Sequence, residues 1–348
     1  MAYTTINKPE DYFNTKLYTG NGSDGVAITG VGFQPDWVWI KNRDTINWHI
    51  LADSVRGGNK VLYTNRTDDE RDDQTWYVQT FDSDGFTVGI AGDTNGNGND
   101  LVAWNWLAGG TASSNTDGDI TSSVSANTTS GFSIVSYTGS GTGGDTIGHG
   151  LGVTPKVVIA KARSDAGTWS VYHEGIGNAA NGVSLENASG TRSEPAYWNS
   201  TAPTSSVFSV GTSNDTNGSS RTYIAYCFAE KKGFSKFGTY TGNGVASGGG
   251  PFIYLGFKPA FFLLKEISGS DNWTLMDNRR LGYNKRNDHL FPNLDNVEYA
   301  TDRIDMVSNG IKIIDNDGSI NQSGSTYIYM AFAEHPFVSS TGTPTTAR

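Results

Sequence analysis

Asp93, Asn95 and Asn97, in the run Asp93-Thr94-Asn95-Gly96-Asn97-Gly98, place side-chain oxygens at alternate positions among glycines. This is the first half of a calcium loop, where short carboxylates and amides close on the ion and glycine permits the sharp turn. Trp104 stands at the twelfth position, where the bidentate acid is expected, and the related stretches 214–218 and 315–318 keep Asp and Asn without the spacing. Calcium at Asp93, Asn95 and Asn97 therefore competes with a plain solvated hairpin loop. Sugar binding calls for an aromatic face beside Asp, Asn or Arg. Trp76, Trp198 and the polar loop 93–100 supply those types, and packing of the two tryptophans against sheets is the alternative.

Catalysis has less to stand on. A carboxylate pair doing acid–base work needs two different environments in one pocket. Glu230 and Glu334 match each other in FAE, but Ala108 takes that place earlier in the chain, so these acids read as strand-ending charges. The five histidines show neither HxH nor HExxH spacing. Cys227, the one cysteine, falls in an apolar strand and reads as a small buried thiol. No GxSxG elbow occurs. The expectation is a protein that is not an enzyme, with no catalytic residues and no cofactor beyond the Ca2+ candidate.

The elements that carry these residues repeat. Pro35, Pro155 and Pro259 each precede four or five mostly apolar residues. A lysine follows six places after the proline (Lys41, Lys161, Lys265), and a tryptophan thirteen or fourteen places after it (Trp48, Trp169, Trp273). YTGNG at 18–22 returns as YTGSG at 137–141 and YTGNG at 240–244. The tyrosines lie 119 and 103 residues apart and the prolines 120 and 104. Two markers keeping one spacing mean one unit present three times. The apolar runs WVWI, VVIA and FFLL read as strands covered on both faces, with the lysine marking where each strand emerges into water. The last strands, LVAWNWLAG, RTYIAYCFAE and TYIYMAFAE, put Trp106, Phe228 and Phe332 at matching positions.

With 44 glycines, only 17% charged residues and no long helical period, the fold class expected is all-β: three tandem antiparallel β-sandwich repeats. They span 1–129, 130–233 and 234–338, with a Ser/Thr/Asn-rich linker at 109–130 and a flexible tail at 339–348. Net charge −10 argues against nucleic acid as a partner, and no segment is long and apolar enough for membrane insertion. The N-terminus lacks the pattern of a signal peptide, and one cysteine gives no disulfide framework. A surface suited to life outside cells, without secretion or disulfide signals, fits particles assembled in a cytoplasm and released by lysis.

YFNTKLYTGNG at 12–22, GVGFQPDWVWIKNR at 30–43 and DSVRG at 53–57 resemble a repeat of virion proteins in tailed phages of marine bacteria. The likeness weakens in the second unit, where DSVRG has become EGIGN. The resemblance implies concanavalin A-like (jelly-roll-like) sandwiches and a place on a virion. It also implies a tail-fibre-like or adhesive appendage that recognises the host surface. Its candidate partners are other virion proteins, further copies of the chain and a host-surface glycan. The rival expectation is a capsid or tail decoration protein with a purely stabilising role. The first repeat begins almost at Met1, without the anchoring domain and stalk of many tail fibres, which favours that rival. A polysaccharide depolymerase ranks third, for want of a carboxylate pair. Three near-equal units in one chain could imitate a trimer, giving a pseudo-threefold body.

Overall fold

The computed structural model describes residues 3–280 and 288–344. It is all-β, with antiparallel ladders throughout and helices of no more than four residues among the described residues. One strand order recurs. In the first segment (13–106) it is Phe13–Thr19, Asp100–Trp106, Trp37–Asn42, Ile50–Asp53, Lys60–Tyr63, with Arg71–Asp72 added at the edge. The second segment (113–228) orders Phe132–Thr138, Thr222–Phe228, Val157–Ala162, Ser170–His173, Asn181–Ser184 in the same way. The third (235–336) does so with Ser235–Thr241, Thr326–Pro336, Phe257–Glu266, Thr274–Asp277, His289–Leu290. A smaller sheet accompanies each, such as Val26–Thr29, Gly85–Val88 and Val78–Asp82 in the first.

The strand after each proline explains the layering. Side chains alternate across a strand, and here the two faces enter different cores. Val38 and Ile40 join a cluster with Ile28, Phe86 and Val88 of the small sheet. Trp37 and Trp39 face the other way, into a cluster shared by all three segments. Val157 and Ile159, and Phe261 and Leu263, also enter that central cluster, while Val158, Ala160, Phe262 and Leu264 face their own small sheets. This is why the runs lack polar alternation. Trp106, Phe228 and Phe332 meet at the centre, with Phe228 and Trp106 rings 5.9 and 5.6 Å from Phe332.

Contacts between segments close a ring. Trp169 Nε1 donates to the Tyr63 carbonyl of the first segment at 2.8 Å, and Trp273 Nε1 to the Ser184 carbonyl of the second at 2.8 Å. The residue completing the cycle is His49, whose ring faces the Phe291 backbone of the third. Pairing confirms the equivalence, because Ile50, Ser170 and Thr274 each begin the following strand. The position matching Trp169 and Trp273 is thus His49, and Trp48 is displaced by one residue.

Other expectations are corrected. The lysines do not emerge into water: Lys41, Lys161 and Lys265 are fully buried. Each Nζ donates to the next residue's carbonyl, at 2.6, 2.9 and 2.5 Å, and burial pushes each pKa down to about 8. The strand twists its end under a neighbouring segment, so Lys265 Nζ also reaches the Ala188 carbonyl at 3.0 Å. The stretch 109–130 is not a linker. Ser113–Asn115 and Ser122–Asn127 are strands of the second large sheet, and the latter pairs along its length with Phe132–Thr138. Val124, Ser122 and Ser125 are buried there, a half-apolar pattern masked by small polar residues. In the tail, Val338 bridges Pro344, and Asn7 bonds both the backbone and the hydroxyl of Ser340; positions 345–348 lie outside the described residues, as do Leu281 and Gly282 of the third segment.

Candidate functional site

The glycine turn and the calcium-like loop are two halves of one latch. Tyr18, Tyr137 and Tyr240 donate to the carbonyls of Thr94, Thr216 and Ile320 at 2.7, 2.7 and 2.6 Å. The next residues, Asn95, Asn217 and Asn321, are buried. Asn95 Oδ1 accepts the Asn21 amide at 2.9 Å, while its Nδ2 donates to the Ser23 and Gly89 carbonyls at 2.7 and 2.9 Å. Asn217 and Asn321 repeat the set with Ser140, Thr142 and Gly211, and with Asn243, Val245 and Asp315. The first glycine of each turn must be glycine, since a Cβ on Gly20 would strike the Gly96 carbonyl; the second, Gly22, holds φ +70.

This geometry reassigns the calcium candidates. Asn95 points inward and its amide is fully used, whereas Asn97 is exposed on the far side of the turn. Asp93 Oδ1 accepts the Trp48 amide at 2.7 Å and Asn47 Nδ2 at 3.2 Å. Burial raises the Asp93 pKa, against those hydrogen bonds. Among the described residues no cluster of three His, Cys, Asp or Glu is arranged to hold a metal. Asp93 is instead a positioning residue for Trp48.

Trp76 and Trp198 do not share a face. Trp198 is buried, its ring 6.3 Å from those of Tyr172 and Phe208. Trp76 is 43% exposed. The Ala91 amide bonds the Trp76 carbonyl, and in the second segment the matching partner of Ser213 is Ala196. Trp76 thus has a small residue as its counterpart.

Beside Trp76, on the first segment, lies an aromatic–charged cleft. Its walls include Trp48, Tyr63, Arg66, Asp68, Asp69 and Arg71. The Trp48 and Tyr63 rings are 5.0 Å apart, the Tyr63 and Tyr77 hydroxyls 2.9 Å, and Tyr77 continues to Trp76 at 6.4 Å. Arg66 lies over Trp48 at 4.4 Å and is held by Asp68 at 2.6 Å; Arg71 lies over Trp76 at 5.7 Å. Cation–π contact sets each guanidinium against an aromatic face, while Asp68 and Asp73 pair with its N–H groups. Thr168 and Asn272 occupy the Trp48 position in the other segments, so the row of rings occurs once. The sequence held one signal of it, the thirteen-residue instead of fourteen-residue spacing of Trp48 from its proline.

Sequence reasoning also missed the charged seams. Between the first and second segments, Glu70 accepts from Arg163 (2.9 Å to each oxygen) and from Arg56 at 3.2 Å. Asp53 takes the Arg56 Nε at 2.5 Å and the Tyr226 hydroxyl at 2.8 Å. Between the third and first, Glu298 binds Arg43 and Arg280, while Asp277 binds Arg280 and Trp104 Nε1. At the remaining seam the same places are held by His173, Ile176, Thr191 and Ile267. Burial works against the charged form of Glu70 and Glu298, but the arginines outweigh it and hold both pKa values below the usual carboxylate range. A proton donor needs the opposite shift. These acids lock segments together and are paired at both oxygens.

A protein-family profile described as a domain of unknown function (DUF7483) matches residues 8–336 in one span. Searches of curated proteins and of solved structures returned no match.

Proposed function

We propose that this chain, which belongs to the DUF7483 family, is a non-catalytic phage virion protein built from three copies of one concanavalin A-like sandwich. Its task is adhesion: it recognises a saccharide of the host surface in the cleft of the first copy. The observation that carries this reading is a division of labour. Residues recurring in all copies, such as Tyr18, Asn95, Lys41 and Trp106, are spent on turns and packing. Trp48 and Arg66 of the cleft recur in neither of the others, although Arg71 and Tyr77 have Arg192 and Tyr197 as counterparts in the second. Trp48 is only partly buried against the core of its segment and Trp76 is 43% exposed, and a polyol has faces for the rings and hydroxyls for Arg66, Asp68 and Asp69. The resemblance to marine phage virion proteins supports the same placement.

The test is adsorption. Purified full chain in excess blocks adsorption of its phage to host cells, and a Trp48→Ala/Arg66→Ala variant with parental melting does not. No competition at saturating protein refutes adhesion. A second reading, a stabilising decoration protein, draws on the closed ring of three similar segments around one core, a body suited to a threefold platform. Imaging the virion separates the two, because a decoration subunit sits on the capsid or tail shell with its first-copy cleft covered.

A further inference from the structure

The third segment carries a second aromatic surface, at the edge of its small sheet. Strand Phe252–Tyr254 alternates outward and inward, with Ile253 buried and Phe252 and Tyr254 each 49% exposed. Its counterparts are Val26–Thr29 and Thr146–Gly148, where Ile28 and Ile147 point inward like Ile253. The outward neighbours there are Ala27 and Thr29, and Thr146 and Gly148. The third segment alone sets two rings on this face, about 7 Å apart along the strand. Tyr3 extends the row: its hydroxyl donates to the Gly256 carbonyl at 2.7 Å and meets that of Tyr254, and burial raises its pKa to about 12. Two lysines lie on these rings. Lys236 Nζ is 5.2 Å from the Tyr254 ring and donates to the Tyr254 carbonyl at 2.7 Å; Lys232 Nζ is 4.6 Å from Tyr3.

Exposed rings unique to one segment serve no shared packing need, and a lysine pair on a chain of net charge −10 is a local reversal of sign. Such a reversal attracts anions at low salt and loses that pull as salt screens it. Aromatic faces stack on the C–H faces of sugars, and ammonium groups pair with carboxylates. We infer that Tyr3, Phe252, Tyr254, Lys232 and Lys236 form a platform for an acidic, carboxylate-bearing polysaccharide. It lies on the third segment and stands independently of the first-segment cleft.

The experiment is gel-retardation affinity electrophoresis of the full chain, with alginate as the polyuronate probe and dextran as the neutral one. Alginate retards the parent, dextran does not, and added NaCl weakens the retardation. Phe252→Ala/Tyr254→Ala and Lys232→Gln/Lys236→Gln each raise the apparent Kd at least tenfold at unchanged melting temperature. Trp48→Ala/Arg66→Ala binds alginate like the parent, which keeps this result separate from any failure of the cleft. Absence of retardation, equal retardation by dextran, or parental binding by the aromatic double variant overturns the assignment. So does concentration-dependent self-association in sedimentation that the aromatic variant abolishes, since the face would then be a contact between copies.

Discussion

Glu70→Thr tests how the seams hold. Glu70 joins Arg56 and Arg163, and the Arg56 side chain has no solvent exposure. Removing the carboxylate leaves Arg56 with Asp53 as its one charged partner, beside the Leu51 carbonyl and the Tyr226 hydroxyl, and Arg163 with Ser136 at 3.3 Å. Breaking a buried pair by deleting one partner costs about 3–5 kcal/mol. The Glu70 side chain keeps 12% exposure, so the lower end, about 3 kcal/mol, is expected. The third seam supplies the control, since His173, Ile176, Thr191, Ile267 and Met330 fill the same places without an ion pair. Grafting them as Asp53→His, Arg56→Ile, Glu70→Thr, Arg163→Ile and Tyr226→Met removes every charge together. Replacing a buried ion cluster by apolar groups is often neutral or better, so the fivefold variant should lie within about 1 kcal/mol of the parent. Urea unfolding followed by tryptophan fluorescence reads both, with unchanged m-values as the check on the comparison. A fivefold variant as unstable as Glu70→Thr, or a Glu70→Thr protein with the parental midpoint, refutes the reasoning.

Asn217→Ala removes three hydrogen bonds to backbone groups at a buried turn; a loss of about 3 kcal/mol is expected from the stranded backbone groups, read as a lowered melting temperature. Because Asn95 is engaged in the same way, melting curves in calcium and in chelator should coincide. Burial lowers the pKa of His173 to about 4 and of His289 to about 3. The folded state thus refuses protons the unfolded state takes up below pH 6.5, and stability falls as pH drops through that value. By pH 5 the loss is about 2 kcal/mol per histidine, measured as the urea midpoint against pH. The buried lysines act at the other end. With folded values near 8 against 10.5 unfolded, each adds about 1–2 kcal/mol as pH rises from 8 to 10. Lys161→Met should remove one such increment from the rise in melting temperature.

Much of the fold was legible because packing repeats. Tyr18, Tyr137 and Tyr240, with the runs after their prolines, sit in matching surroundings, as their spacing implied. The apolar runs revealed doubly covered strands but not that one face of each opens into a common core. That sharing depends on contacts such as Phe13 with Phe332, which no local window contains. The lysines were misread because a charge after an apolar run ordinarily meets water. Here the next residue's carbonyl and burial under a neighbouring segment replace it. Trp48 was grouped with Trp169 and Trp273 because residue type outweighed a one-place shift, although that shift is what leaves Trp48 free to line the cleft. Trp198 was nominated on type alone and is core. Arg66 and Arg71 went unnoticed since charges in a polar loop carry no pattern until the rings beneath them are placed.

The Phe13 and Phe332 rings stack at 5.5 Å, and Asn7 is bonded to Ser340. Synthesis therefore delivers one half of this joint more than three hundred residues before the other. A partly made chain has an aromatic flank facing solvent at every stage, and no early portion can settle fully by itself. Long-range closure of this kind slows acquisition of the native state and exposes sticky intermediates. Once the last strand slides into place the body is fastened from both ends.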